Sequence, residues 1–255
     1  MTLLKDDSQL QDGSLAVDVM VDPPPRSPEL MVAAAAVFNR IGALLARLAK
    51  ESGMDVACPI AVWLVQSGGR AFVPRRAPLR FEVQHFFTRW GNWNRNEFDL
   101  HFRFGGHNLQ TGHAWENQEF RSEPTARFTS VRHNQNSEYA TLTMARMLAG
   151  DQPALSCANL GGSLLPLDSH AALGYDTACD MFDAYQESER AHILGFFDYC
   201  RIRPGPKAGD LIKHLQVRDW NLFAKHYTES DSFPLDPERL GAAHAAAARL
   251  LRERN

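Results

Sequence analysis

The 255-residue sequence predicts a mainly helical domain with a small β-hairpin and an irregular inserted lobe. Long stretches near both ends repeat apolar residues at the three- and four-residue spacing of a helix face. One short segment, 71–82, alternates instead. Residues 91–135 keep neither period, being rich in Asn, His, Arg and Gly with scattered aromatic side chains.

Residues 1–28 combine acids, Gly13 and Pro23-Pro24-Pro25 without apolar periodicity, and are expected to form a flexible leader before a single domain over 29–255. Over 29–50, Leu30, Val32, Phe38, Ile41, Leu44, Leu45 and Leu48 define the first helix, with Gly53 where a C-cap belongs. Residues 58–66 form a second helix, apolar all round and stopped by Gly68-Gly69, so it should lie in the middle of the domain. Residues 71–81 read as the hairpin, leading into Glu82 and a short helix with Phe86, Phe87 and Trp90. Helical patterns return over 137–148 and 153–158. Asp176 is expected to cap a helix reaching Tyr185, and Ser188 one reaching Arg201. Short helices follow at 211–215 and 220–227. The last opens with Asp236-Pro237-Glu238, an N-cap followed by proline at the first helical position, and runs to Arg252.

A hydrophobic content of 44% and a charged content of 22% are those of a globular chain, and a net charge of −3 gives no reason to expect nucleic acid as a partner. The longest apolar run, 56–65, is ten residues and contains Pro59, against the roughly 20 that a membrane span needs, so no span is expected. Lys5 is followed by Asp6 and Asp7 with no apolar stretch behind, which does not read as a secretory signal. The expectation is synthesis in the cytoplasm, with any export by dedicated machinery. Cys58, Cys157, Cys179 and Cys200 form no C-x-x-C pair and read as reduced, structural thiols. His101, His107 and His113 fall six residues apart, a spacing that suits no helical metal site, so with His133 they read as loop histidines and no metal or other cofactor is expected. Ser163, in Gly161-Gly162-Ser163-Leu164-Leu165, lacks the closing glycine of a nucleophile elbow.

Three stretches carry a family likeness. Ala61-Val62-Trp63-Leu64-Val65-Gln66-Ser67-Gly68-Gly69, followed by Leu79-Arg80-Phe81-Glu82, resembles an apolar helix ending in Glu-Ser-Gly-Gly, then a hairpin and a Phe-Glu pair. The segment Ala154 through Gly161, continuing to His170-Ala171-Ala172-Leu173-Gly174-Tyr175, is similar to a Ser-Ala-Ser-Trp-Gly-Leu-Phe-Gln segment before a Gly-Phe or Gly-Tyr end. Asp219-Trp220-Asn221-Leu222-Phe223-Ala224-Lys225-His226-Tyr227 resembles a C-terminal helix that continues Tyr-Asn-Gly. These are features of the N-acetylmuramidase family of phage endolysins and bacterial cell-wall hydrolases, and the resemblance implies a lysozyme-like helical domain acting on peptidoglycan. It also implies that the catalytic Glu position is occupied here by Gln66, that Leu160 and Leu164 replace an aromatic residue and an amide, and that Thr228 stands where Asn is expected.

Glycoside hydrolysis needs a protonated carboxyl beside the leaving oxygen and usually a second carboxylate. An amide keeps the shape of Glu and loses the titratable proton, which forgoes about 10²–10⁴ in rate. Gln66 is thus either a vestigial catalytic position or a plain polar residue at a helix end. Glu82 is either the retained carboxylate or an acid favouring a helix N-terminus. Asp99, Glu97 and Glu229 are further acids, most simply surface charges. Arg70, Arg75, Arg76 and Arg80 put four cations on the hairpin, either as a solvated ribbon or facing sugar carboxylates. Trp90, Trp93 and Trp115 suit sugar stacking or local packing. The expected substrate-binding set is Trp90, Trp93, Tyr227 and Arg80, with Gln66 and Glu82 at the catalytic positions. The expected reading is a degenerate muramidase that binds peptidoglycan glycan strands, or a protein partner in a larger assembly, without cleaving. An active hydrolase using Glu82 or a lobe carboxylate, or a protein-interaction module, are the alternatives.

Overall fold

The computed structural model describes residues 13–73, 75–109, 112–202, 211–228 and 234–253. Helix α1 (Glu29–Glu51) turns Met31, Phe38, Ile41, Leu45 and Leu48 to one face, and that face is buried. It packs on α2 (Ala57–Ser67), which is buried without a break from Ala57 to Leu64, as all-round apolarity requires. Burial of each large apolar side chain here contributes about 1.5–3 kcal/mol. At its end Gly68 adopts φ 65°, the Gly68 and Gly69 N–H groups close on Leu64 and Trp63 carbonyls, and the helix stops with Gln66 in its last turn. Helix α1 is long and apolar enough to cross a membrane, but half of its most apolar stretch is buried inside the domain, which makes it a core helix.

The chain then runs through β1 (Leu79–Phe81), α3 (Val83–Phe86) with a π-turn over Phe87–Gly91, and α4 (Arg95–His101). Strands β2 (Phe102–Arg103), β3 (Glu119–Phe120) and β4 (Thr129–Ser130) pair antiparallel in that order. After a 3-10 turn over Val131–His133 come α5 (Gln135–Ala149) and α6 (Asp151–Leu155). Then follow β5 (Ala158–Leu160), β6 (Leu165–Pro166), α7 (Ala178–Glu187), α8 (Glu189–Ile202), α9 (Leu211–Val217), α10 (Trp220–Tyr227) and α11 (Pro237–Arg252). Helix α11, capped by Asp236 as its sequence indicates, lies against both α1 and α2, so the two ends of the domain close on one core.

Several expectations are corrected. Among the described residues the small hairpin expected over 71–82 is not found: β1 pairs instead with β5, Leu79 opposite Leu160 and Phe81 opposite Ala158, and β6 completes the sheet. Among the described residues of this stretch, the Val73 N–H meets the Arg76 carbonyl and Arg75 lies at φ 62°, and none forms a ladder with Leu79. The helix expected over 153–158 ends at Leu155 because its continuation is that partner strand. The 91–135 lobe is not wholly irregular. It carries α4 and the second sheet, and Phe98 and Phe102 bury completely against Phe86. Thr177 caps α7, through a reciprocal pair with Asp180, in place of Asp176. The first twelve residues of the leader lie outside the described residues; within 13–28 there is no helix or strand, and Asn39 grips both the N–H and the carbonyl of Val21, at 2.7 and 3.0 Å.

The β5–β6 loop is pinned from behind. The Gly162 N–H donates to His192 Nδ1 (3.3 Å) while His192 Nε2 donates to the Tyr185 carbonyl (2.7 Å), which fixes a neutral imidazole. A Cβ at Gly162 would collide with the Trp63 indole, so only glycine allows this approach. Burial pushes His192 down to about 4 from its ordinary 6.5. Above 6.5 both folded and unfolded chains hold it neutral. As pH falls below that, the unfolded chain takes the proton first, and stability is lost down to about pH 4. That drop from 6.5 to about 4 corresponds to about 3 kcal/mol. Urea unfolding at stepped pH should show wild type losing about that much more than His192→Phe between pH 6.5 and 4; parallel profiles would exclude this role.

Candidate functional site

A polar groove crosses the face where the last turn of α2, strand β1 and the β5–β6 loop meet. Its inner end is bounded by Tyr227, Thr228 and Asp168, its middle by Gln66, Arg80 and Leu164, and its outer end by Arg70, Arg132 and Asn136. Adjacent parts share lining residues, so the groove is continuous and open rather than a closed pocket.

Strand alternation explains the wall. In β1, Leu79 and Phe81 are buried and Arg80 between them faces the groove; in β5, Ala158 and Leu160 are buried and Asn159 faces the same way, directly opposite Arg80 in register. Burial and the neighbouring Arg132 pull the Arg80 guanidinium below its ordinary value, against the favourable fields of Glu82 and Glu138. Leu164 sits in the left-handed region at φ 52° and lines the groove beside Gln66. Tyr227 forms part of the inner end and donates its hydroxyl to the Ser163 carbonyl at 2.8 Å, holding the loop that carries Leu164.

Glu82 lies behind this wall, 1% exposed. Its Oε2 accepts from Arg132 Nη2 (2.9 Å), Gln84 Nε2 (3.0 Å) and Gln118 Nε2 (3.2 Å), and its Oε1 from Asn159 Nδ2 (3.4 Å). The same Arg132 reaches both oxygens of Glu138 with Nη1, at 2.8 and 3.0 Å, and Glu138 also accepts the Phe81 N–H at 2.7 Å. Burial opposes the charge of Arg132, but Glu82 and Glu138 outweigh it and hold the guanidinium above its ordinary value. Asp168, at the inner end, is paired with Arg89 at 2.6 Å.

Of the residues singled out from sequence, Gln66, Arg80 and Tyr227 line the groove together, and Glu82 stands in its supporting shell. Trp90 stacks on Phe86, centroids 5.1 Å apart, and Trp93 is 77% exposed; neither lines the groove. Leu160 belongs to the core, whereas Leu164 and Thr228 are groove residues. Asp99 is engaged by His107 and Arg95 within the lobe, and Glu229 lies outside the described residues. His107 packs on Phe87 and Phe104, His113 stacks on Trp115, and His101 meets the Arg121 carbonyl. Among the described residues no three His, Cys, Asp or Glu side chains converge as a metal site would require. The cysteines are free thiols, three of them buried. Sequence reasoning missed Asn159, Arg132 and Gln118; their roles come from pairings between distant segments, and only the strand-like alternation of Ala158-Asn159-Leu160 hinted at the first.

A helical core with a small antiparallel sheet walling an open polar groove is the architecture of lysozyme-like proteins. The N-acetylmuramidase family model matches residues 55–235, and the chain belongs to that family. Its fold is similar to the crystal structure of the Burkholderia AP3 phage endolysin, with a TM-score of 0.56 at 20% identity over 83% of this chain and 71% of that one. No curated protein matches the sequence.

Arg132 should be the stability determinant of the wall, since Arg132→Leu leaves Glu82 and Glu138 buried without the guanidinium that hydrogen-bonds both of them. Thermal and urea unfolding should show a loss of about 3–5 kcal/mol, with Arg132→Lys recovering only part because an ammonium lacks the planar fork. A loss under about 1 kcal/mol, the value of an exposed pair, would show that the cluster is not truly desolvated.

Proposed function

We propose that this muramidase-family domain binds peptidoglycan glycan strands in its groove and has lost hydrolysis. One observation carries the reading: Gln66, the residue that the family resemblance pairs with the catalytic acid, lines the groove, and Glu82, the carboxylate that the resemblance marks beside it, is buried and engaged by four donors. A glutamine amide has no proton to give to a leaving oxygen, and a side chain 1% exposed does not reach one. The other carboxylates at the groove, Asp168 and Glu138, are each held by an arginine. What remains is a set of amide, guanidinium and phenol groups suited to sugar hydroxyl and carboxylate groups. Arg80 and Tyr227 are the binding residues in this account, while Trp90 packs on Phe86 and Trp93 is exposed outside the groove. The role is that of a binding or scaffold component, alone or within a larger assembly, which reaches the cell wall by a dedicated route.

Restoring the acid alone should not restore the enzyme. A general acid works only with its proton aimed at a correctly held sugar, and Leu164 and Thr228 line the groove with Gln66 where the resemblance expects an amide and an asparagine. Lysis rates for wild type and Gln66→Glu on one batch of purified peptidoglycan should both stay near background. Robust lysis by the single variant would mean that only the acid had been lost, and wild-type activity abolished by Glu82→Gln would make the chain an enzyme.

A further inference from the structure

The outer end of the groove has a chemical bias that its middle lacks. Among the residues bounding it, Gln135 exchanges both of its amide hydrogen bonds with the Leu79 backbone, at 2.7 and 2.9 Å. Arg132 and Glu138 are bound to each other, and Glu138 also takes the Phe81 N–H. These three have little capacity left for a ligand. Asn134 Oδ1 accepts the Ser137 N–H at 3.0 Å, and Asn136 Oδ1 accepts Arg76 Nη2 at 2.9 Å. A backbone N–H and a guanidinium can only donate, so both amides are oriented with oxygen inward and their Nδ2 groups remaining. Arg70 makes no ion pair among the described residues. Each side-chain oxygen at this end already accepts at least one bond, whereas the two Nδ2 groups and the Arg70 guanidinium are uncommitted donors among the described residues, so the free groups lean toward donors and one of the three is a cation.

We infer that Arg70, Asn134 and Asn136 form an outer subsite that takes a carboxylate carried by the glycan strand. The inference rests on the reading that the groove holds peptidoglycan. Three uncommitted donors, one of them a guanidinium, are best matched by an anionic acceptor, and charge-assisted bonds of this kind are stronger than those to neutral hydroxyls. Arg70 and Arg132 also line the adjoining part of the groove with Gln66 and Arg80, so one extended polymer can occupy both places. A peptidoglycan strand offers carboxylates from two sources: the stem peptides, and the lactyl groups that are exposed once those peptides are removed.

The test is equilibrium binding of full-length wild type, Arg70→Ala and Asn136→Ala to three probes: intact sacculi, glycan strands stripped of stem peptides by an amidase, and chitin oligosaccharides, which share the backbone sugars but carry no carboxylate. All three side chains are exposed, and melting temperatures confirm folding of each variant. Arg70→Ala should weaken binding to a carboxylate-bearing probe about tenfold and leave chitin binding unchanged. The wild-type preference should shrink as salt is raised. A loss on stripped strands identifies the lactyl carboxylate, and a loss confined to intact sacculi identifies the stem peptide. Equal wild-type affinity for chitin and stripped strands, with no effect of Arg70→Ala on either peptidoglycan probe, overturns the subsite and leaves glycan binding standing. Failure of wild type to bind any of the three overturns the reading of the groove, and the subsite with it.

Discussion

One guanidinium organises the wall of the groove. Arg132 leaves the 3-10 turn that ends the lobe and grips Glu82, which follows β1, and Glu138, in the first turn of α5. Arg80, in the middle of β1, lies in the favourable field of the same two carboxylates. This arrangement closes the lobe onto the domain and fixes the strand from which Arg80 reaches the groove. Replacing a buried ion cluster with apolar residues is often neutral or stabilising, while removing one member is costly. The cluster is therefore better understood as fixing geometry than as adding stability.

That geometry separates two roles which the sequence places close together. Gln66 ends a core helix whose stop is set by Gly68, so its amide is presented at the groove. Glu82, sixteen residues on, turns away from the groove into a shell of donors. Opposite them the β5–β6 loop is clamped by His192 and Tyr227, which sets Leu164 as an apolar patch among polar neighbours. The result is a fixed polar groove with Gln66 and Arg80 presented in it and Glu82 held behind it.

Local rules recovered what local forces decide. The apolar face of α1, the all-round burial of α2, the Gly68 stop and the Asp236 cap follow from spacing and cap chemistry within a few residues. The sheet did not, because Leu79 pairs with a residue 81 positions later, and nothing near Leu79 identifies Leu160 as its partner. Thr177 prevailed over Asp176 because its hydroxyl and Asp180 satisfy each other's backbone N–H groups, a contest that one letter of sequence does not resolve. At the groove, the family likeness led to Gln66 and Tyr227 and the run of hairpin cations to Arg80, and all three line it. The tryptophans were drawn in by composition, although Trp90 is committed to Phe86. Arg132 was invisible for the same reason as β5, since its partners lie 50 and 6 residues away on different elements.

The central claim is that a glycan-binding groove persists here without an acid to use. It is tested most directly by sedimenting the full chain with purified sacculi and measuring, in the same tube, both the protein in the pellet and the new reducing ends in the supernatant. The account predicts saturable co-sedimentation with no reducing ends above a no-protein control. New reducing ends that scale with protein and time would contradict it, and so would a chain that stays in the supernatant.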